Sequence, residues 1–298
     1  MNWTRQRERG STAGLRLMAW IVTRLGFRVG YALLYPIAAY FFLSSSVQRA
    51  AIRRFQRRAL GREPALRDVF RPFFVFSATL LDRLFLLDGR RRGYQLQVVG
   101  LDLLNERIAR GEGCILLGAH LGSFDAMRAV ADTGCPVEVV ALMHQNNAVN
   151  AAAFFAQWGP RQAAATIPLG QPDAMLKAKE CLERGGLVGI LADRTPGTGK
   201  VMRVPFLGAP ATFPLGPHIL AGVLGAPVMI AFGVWTGPRR YEVHFQPFAD
   251  RIAFGRRDRQ AALEAVTRDY AARIERIARA FPDNWFNFYD FWEEMDAR

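Results

Sequence analysis

The stretch Cys114-Ile-Leu-Leu-Gly118, followed after Ala119 by His120-Leu-Gly-Ser-Phe-Asp125, decides how this chain is read. Its apolar opening reads as a short buried strand. Gly118 and Gly122 read as a turn, and Ser123 as the N-cap of a helix running to about Thr133. His120 then stands at the carboxyl end of a strand and Asp125 in a first helical turn. On one uninterrupted helix, residues five apart would point about 140° away from each other. Across a strand, turn and helix the two side chains can meet. A neutral imidazole, with an ordinary pKa of about 6.5, can take a proton from an alcohol near neutral pH. A carboxylate on its other nitrogen fixes the tautomer and stabilises the imidazolium as it forms. The bland alternative is a buried histidine that hydrogen-bonds the start of a helix.

Outward from this segment, strands and helices alternate from about residue 95. Candidate strands are 96–99, 114–117, 137–142, 165–168, 188–192, 228–234 and 241–246. Candidate helices cover 101–110, 123–133, 147–157, 172–184, 214–224 and 259–280. The pattern predicts an α/β fold with a mixed, mostly parallel sheet flanked by helices. The last two strands are joined by only Trp235–Arg240, a hairpin-sized connection that requires one antiparallel pair. Asp193–Phe213 reads as the longest irregular stretch, and a loop of that length in a compact domain is usually functional. Ligands of α/β folds collect at the carboxyl ends of strands, so His120 and Asp193 are expected to face one cleft. Gly199-Lys200 does not complete a Walker loop, because Arg194 occupies the place of its first glycine.

The chain has 298 residues, is 51% hydrophobic and carries a net charge of +13. Residues 1–92 hold 18 arginines, no lysine and five acidic residues, so the whole excess lies in the first third. The same third contains the apolar run from Val29 to Leu43, interrupted by Pro36 and flanked on both sides by arginines. It is shorter than the roughly 20 residues a spanning helix needs, and basic flanks on both sides predict a helix or re-entrant hairpin lying in the membrane interface. Residues 12–26 are amphipathic, with Leu15, Met18, Ile21, Val22 and Leu25 interleaved with Arg16 and Arg24. The expected organisation is a helical membrane-associating section over 1–92 and an α/β domain over 93–298. A signal peptide is disfavoured, since Arg16 breaks the hydrophobic region and no small-residue cleavage site follows. Nucleic-acid binding is also disfavoured, because the basic residues alternate with aliphatic runs and no recognition motif appears. Three cysteines without metal-ligand spacing predict reduced thiols. With no C-x-x-C or H-E-x-x-H, no metal is expected. His218 and His244 read as structural, and the aromatics of 285–292 as core.

Several segments taken together carry a resemblance. The H-x4-D element, Ala192-Asp193-Arg194-Thr-Pro-Gly, Val204-Pro-Phe-Leu-Gly208 with Phe213-Pro-Leu-Gly-Pro217, and the aromatic ending Asn284–Trp292 are in this order and spacing. The chain resembles the lysophospholipid acyltransferase superfamily, and within it the bacterial lipid A biosynthesis (lauroyl/myristoyl) acyltransferases. The resemblance implies metal-independent, cofactor-free transfer of a fatty acyl chain to a hydroxyl of a membrane lipid or glycolipid. The donor would be a thioester of acyl carrier protein or coenzyme A, and the place the cytoplasmic face of the bacterial inner membrane. It implies His120 as base and Asp125 as its orienter. His144 stands where the family has a basic residue after the next strand, with Asn146 beside it, and Asp193 matches an acidic family position. Arg194 and Arg203 suit a phosphate or a phosphopantetheine. Oxyanion donors are expected from backbone amides of the turn after His120, or from His144. The competing readings are an inert membrane lipid-binding protein and a membrane-associated glycosyltransferase; the latter lacks a D-x-D at a strand end.

Overall fold

The structure, a computed structural model, describes residues 12–87, 93–134, 137–143, 165–195, 199–255 and 257–293. Four helices come first: α1 (Thr12–Leu25), α2 (Phe27–Ser44), α3 (Ser46–Leu60) and α4 (Leu66–Leu87). The sheet section follows as β1 (Gln95–Val99), α5 (Leu101–Ala109), β2 (Cys114–Gly118), α6 (Phe124–Gly134), β3 (Val139–Met143), β4 (Ala165–Pro168), α7 (Ala174–Glu183) and β5 (Leu187–Leu191). It continues through β6 (Val201–Phe206), β7 (Ala209–Pro214), α8 (Gly216–Leu224), β8 (Val228–Gly237), β9 (Arg240–Ala249) and α9 (Arg259–Ala280). A short 3₁₀ turn, Pro282–Asn284, leads into the aromatic C-terminal strap.

Seven strands form one sheet in the order β1-β9-β8-β2-β5-β3-β4. Every neighbouring pair is parallel except β8 and β9, so the expected mixed, mostly parallel sheet is present. The central strands β2 and β5 are nearly continuous apolar runs because both of their faces are covered. Along β2, Ile115 and Leu117 enter one core with α7, α8, α9 and the strap. Cys114 and Leu116 enter the other, with α1, α2, α4 and α6. The N-terminal helices therefore share a hydrophobic core with one face of the sheet.

A buried polar cluster fastens those helices to the sheet. Asp82 of α4 is fully buried, and its Oδ2 accepts hydrogen bonds from the hydroxyls of Tyr31 on α2 (2.9 Å) and Tyr241 on β9 (2.7 Å). Its Oδ1 accepts one from Tyr94 just before β1 (2.7 Å), and Trp235 Nε1 on β8 donates to the Tyr31 hydroxyl (3.2 Å). Burial pushes the Asp82 carboxyl up to about 6, against the pull of the three hydroxyls and of Arg239.

Two sequence expectations change. Of the two forms expected for the apolar run, a helix or a re-entrant hairpin, residues 27–44 take the helix, continuous through Pro36 and longer than the run that is itself too short to span. By length and composition this helix could cross a membrane. Within the stretch expected to be irregular, β6 and β7 pair as an antiparallel hairpin. Its turn places Leu207 and Gly208 at φ 49° and 79°, the left-handed values a two-residue hairpin turn requires. Pro205, Pro210 and Pro214 disguise these strands, yet an isolated two-stranded ribbon tolerates proline as an edge strand does. The ribbon is pinned by Glu275 of α9, which accepts the Leu207 amide (2.6 Å), and by Trp292 Nε1, which donates to the Phe206 carbonyl (3.2 Å). The expected helix over 147–157 lies outside the described residues.

Candidate active site

Strand register assembles the site. Because β2 and β5 are parallel neighbours with Gly118 opposite Leu191, His120 and Asp193 each stand two residues beyond a matched pair. The ladder persists past the strands, with the Ala192 amide donating to the Gly118 carbonyl (3.0 Å). Asp193 is fully buried and grips His120 at two points. Its Oδ2 accepts the His120 backbone amide (3.0 Å) and its Oδ1 lies 2.9 Å from the ring Nδ1. With Nδ1 protonated toward the carboxylate, Nε2 is left as the basic nitrogen. The His120 side chain keeps 27% of its surface exposed, so the site is not sealed.

The turn after His120 is forced by two close approaches. Gly122 adopts φ 77°, and a Cβ there would lie 2.2 Å from the Gly233 carbonyl oxygen. The Ser123 amide donates to that same carbonyl (2.6 Å), and Ser123 Oγ caps α6 by accepting the Ala126 amide (3.2 Å), as the sequence predicts. The amides of residues 120, 122 and 123 all donate within the fold, the second to the Asn284 carbonyl. None of these three is left for the expected oxyanion role.

Asp125 is placed differently from its sequence reading. The structure gives Nδ1 of the imidazole to Asp193, while Asp125 in the first turn of α6 faces Arg83 of α4 (Nε–Oδ2 3.2 Å). Burial raises the Asp125 carboxyl, opposed by Arg83 and Arg128. Its position links two helices. Arg194 does join the group: Nε donates to Asn287 Oδ1 (2.6 Å) and a terminal nitrogen to the Phe286 carbonyl (3.0 Å). Arg203 stands exposed on β6 opposite Thr212, outside this group. His144 and Asn146 lie outside the described residues. His218 is fully buried on α8, edge-on to Tyr270, and burial holds its ring down at about 4.

Sequence reasoning missed Asn287, whose Nδ2 donates to Asp193 Oδ2 (2.7 Å). The strap that carries it is stitched to the His120 turn: the Phe286 amide donates to the His120 carbonyl (2.9 Å), and the Asn284 side chain bonds both backbone groups of Trp235. The available signal was two amides set in an aromatic run, because a buried amide demands partners.

Electrostatics suit a resting base. Burial would raise Asp193, but His120, Arg194 and Asn287 together hold it down at about 2. Burial and the Arg194 charge lower His120 below its ordinary value, against the attraction of Asp193. At neutral pH the pair is thus a carboxylate and a neutral imidazole. A small, mainly apolar recess lies between α6 and the sheet, lined by Gly118 and Leu191 at the ends of β2 and β5 and by Phe124, Met127 and Ala231.

No curated protein matches this sequence. The family model described as bacterial lipid A biosynthesis acyltransferase matches residues 17–294, nearly the whole chain. With a match of that extent over the sheet, the His120 turn and the strap, the chain belongs to the bacterial lipid A biosynthesis acyltransferase family.

Proposed function

We propose that this acyltransferase moves a fatty acyl chain from a thioester, of acyl carrier protein or coenzyme A, to a hydroxyl of an envelope lipid or glycolipid. The observation that carries the reading is the His120–Asp193 contact of 2.9 Å, which presents Nε2 as a base in a part-exposed position. His120 Nε2 removes the proton of the acceptor hydroxyl as its oxygen attacks the thioester carbonyl carbon. The tetrahedral oxyanion collapses, the carbon–sulfur bond breaks, and the imidazolium returns its proton to the departing thiolate. The products are an ester and a free thiol, and the step balances without a metal. Asp193, not Asp125, orients the ring. Arg194 or Arg203 would meet a phosphate of donor or acceptor.

The acceptor is taken from the membrane surface, at the cytoplasmic face of the inner membrane. Leu17, Trp20 and Leu25 of α1 and Val29, Tyr35, Tyr40 and Leu43 of α2 are exposed large apolar side chains, with Arg16, Arg24, Arg28 and Arg49 on or beside the same helices. Such a surface joins apolar insertion to attraction for anionic headgroups, about 1 kcal/mol per basic residue near the membrane. The test is transfer from labelled acyl thioesters to extracted envelope lipids by purified protein in vesicles. Wild type should form the acylated product and folded His120→Ala should lose activity by about 10²–10⁴-fold or more. Near-normal turnover by folded His120→Ala would sink the assignment.

A further inference from the structure

We propose that Asn287 is a positioning residue that bridges Asp193 and Arg194 while keeping them from pairing directly, and so fixes which nitrogen of His120 serves as base. The inference rests on the acyl-transfer reading for its meaning, but its first readout does not need turnover. Three hydrogen bonds converge on the Asp193 carboxylate: the His120 amide and Asn287 Nδ2 on Oδ2, and the His120 ring on Oδ1. An amide is the side chain this position requires. Its NH₂ donates to Asp193 while its oxygen accepts from Arg194 Nε at 2.6 Å. Without it, a buried carboxylate would stand beside a guanidinium with nothing to hold the two apart. A direct bidentate Arg194–Asp193 pair would then compete with the imidazole for the carboxylate.

The clamp also reaches the helical section. The strap is held by ion pairs of Asp290 with Arg54 on α3 and of Asp283 with Arg71 on α4 (2.6 Å). Phe55 of α3 stacks on Trp285 at 4.9 Å. Asn287 therefore sits on an element anchored to the basic helices at one side and to the catalytic turn at the other. The titratable groups around the pair are Asp193 and Arg194 after β5, Tyr270 from α9, and Tyr289 of the strap.

Nitrogen-15 NMR of the His120 ring in the full chain tests this first. The expected result in wild type is a neutral ring protonated on Nδ1, and a ring protonated on Nε2 would overturn the proposal. Asn287→Asp keeps the acceptor for Arg194 but sets a second carboxylate against Asp193. It should raise the His120 titration and the acidic limb of kcat/KM together by about one unit. Asn287→Ala removes both contacts and should lower kcat about ten- to hundredfold with KM little changed, the kinetic equivalent of one hydrogen bond to a charged group. Folded variants whose His120 titration and kcat match wild type would contradict the clamp. If wild type itself transfers no acyl group, the acyl-transfer reading fails, while the tautomer and titration still decide the role of Asn287.

Discussion

At His120 the two ring nitrogens are assigned by a single contact, Nδ1 against Asp193 at 2.9 Å, and the chemistry depends on that assignment. Asp193→Asn should keep the shape but invite the wrong tautomer, lowering kcat by about 10³–10⁴-fold. Asp125→Asn should only loosen α6 from Arg83 of α4, with a loss of less than about tenfold, and comparing kcat for the two folded variants separates the candidates. The pH profile follows from the same environment. Burial lowers the His120 pKa, so the neutral base persists into mildly acidic solution and the acidic limb of kcat/KM should fall below about 6.5. A limb well above that value would mean an ionised imidazole at rest. The spacing of His120 and Asp125 was visible in the sequence, but the partner was not. Choosing Asp193 requires knowing that β2 and β5 are neighbours in matched register, which is a long-range fact. Both residues could be placed at strand ends from local pattern alone.

Among the elements, those with strong local signals were legible. The 3.6-residue periodicity of 259–280 and the apolar runs of β2, β4 and β5 match their observed spans closely. The β6–β7 hairpin was hidden by its prolines, and α2 extends past both ends of the apolar run 29–43 that marked it in the sequence. Contacts between distant elements left little trace in sequence: Asp82 lies 51 residues from Tyr31 and 159 from Tyr241. Asp82→Ala would strip three buried tyrosine hydroxyls of their acceptor, at about 1–3 kcal/mol for each group left unsatisfied. Thermal or denaturant unfolding should show a loss of at least about 3 kcal/mol. The Asp82 pKa has a definite sign as well. Because the folded value of about 6 lies above the ordinary aspartate value of 3.8, this residue's contribution to stability is fully present below about 3.8. It is lost as pH rises through about 6, and Asp82→Asn should remove that part of the slope.

Across the whole molecule, a basic, apolar helical layer shares one face of the sheet, while α7, α8, α9 and the ribbon cover the other. The charge imbalance of the first third announced this layer in the sequence, whereas its packing onto the sheet needed the structure. Trp20→Asp with Leu43→Asp should weaken binding to anionic vesicles by about tenfold or more, since each tenfold corresponds to only about 1.4 kcal/mol. Unchanged co-sedimentation would move the membrane-facing surface elsewhere. The central claim, that His120 drives acyl transfer to an envelope lipid, is tested most directly by mass spectrometry. Total envelope lipids would be compared between cells expressing wild type and His120→Ala at matched levels. The account predicts a lipid carrying one added acyl mass with wild type and none with His120→Ala. The same acylated lipid appearing at equal abundance with both proteins would contradict it.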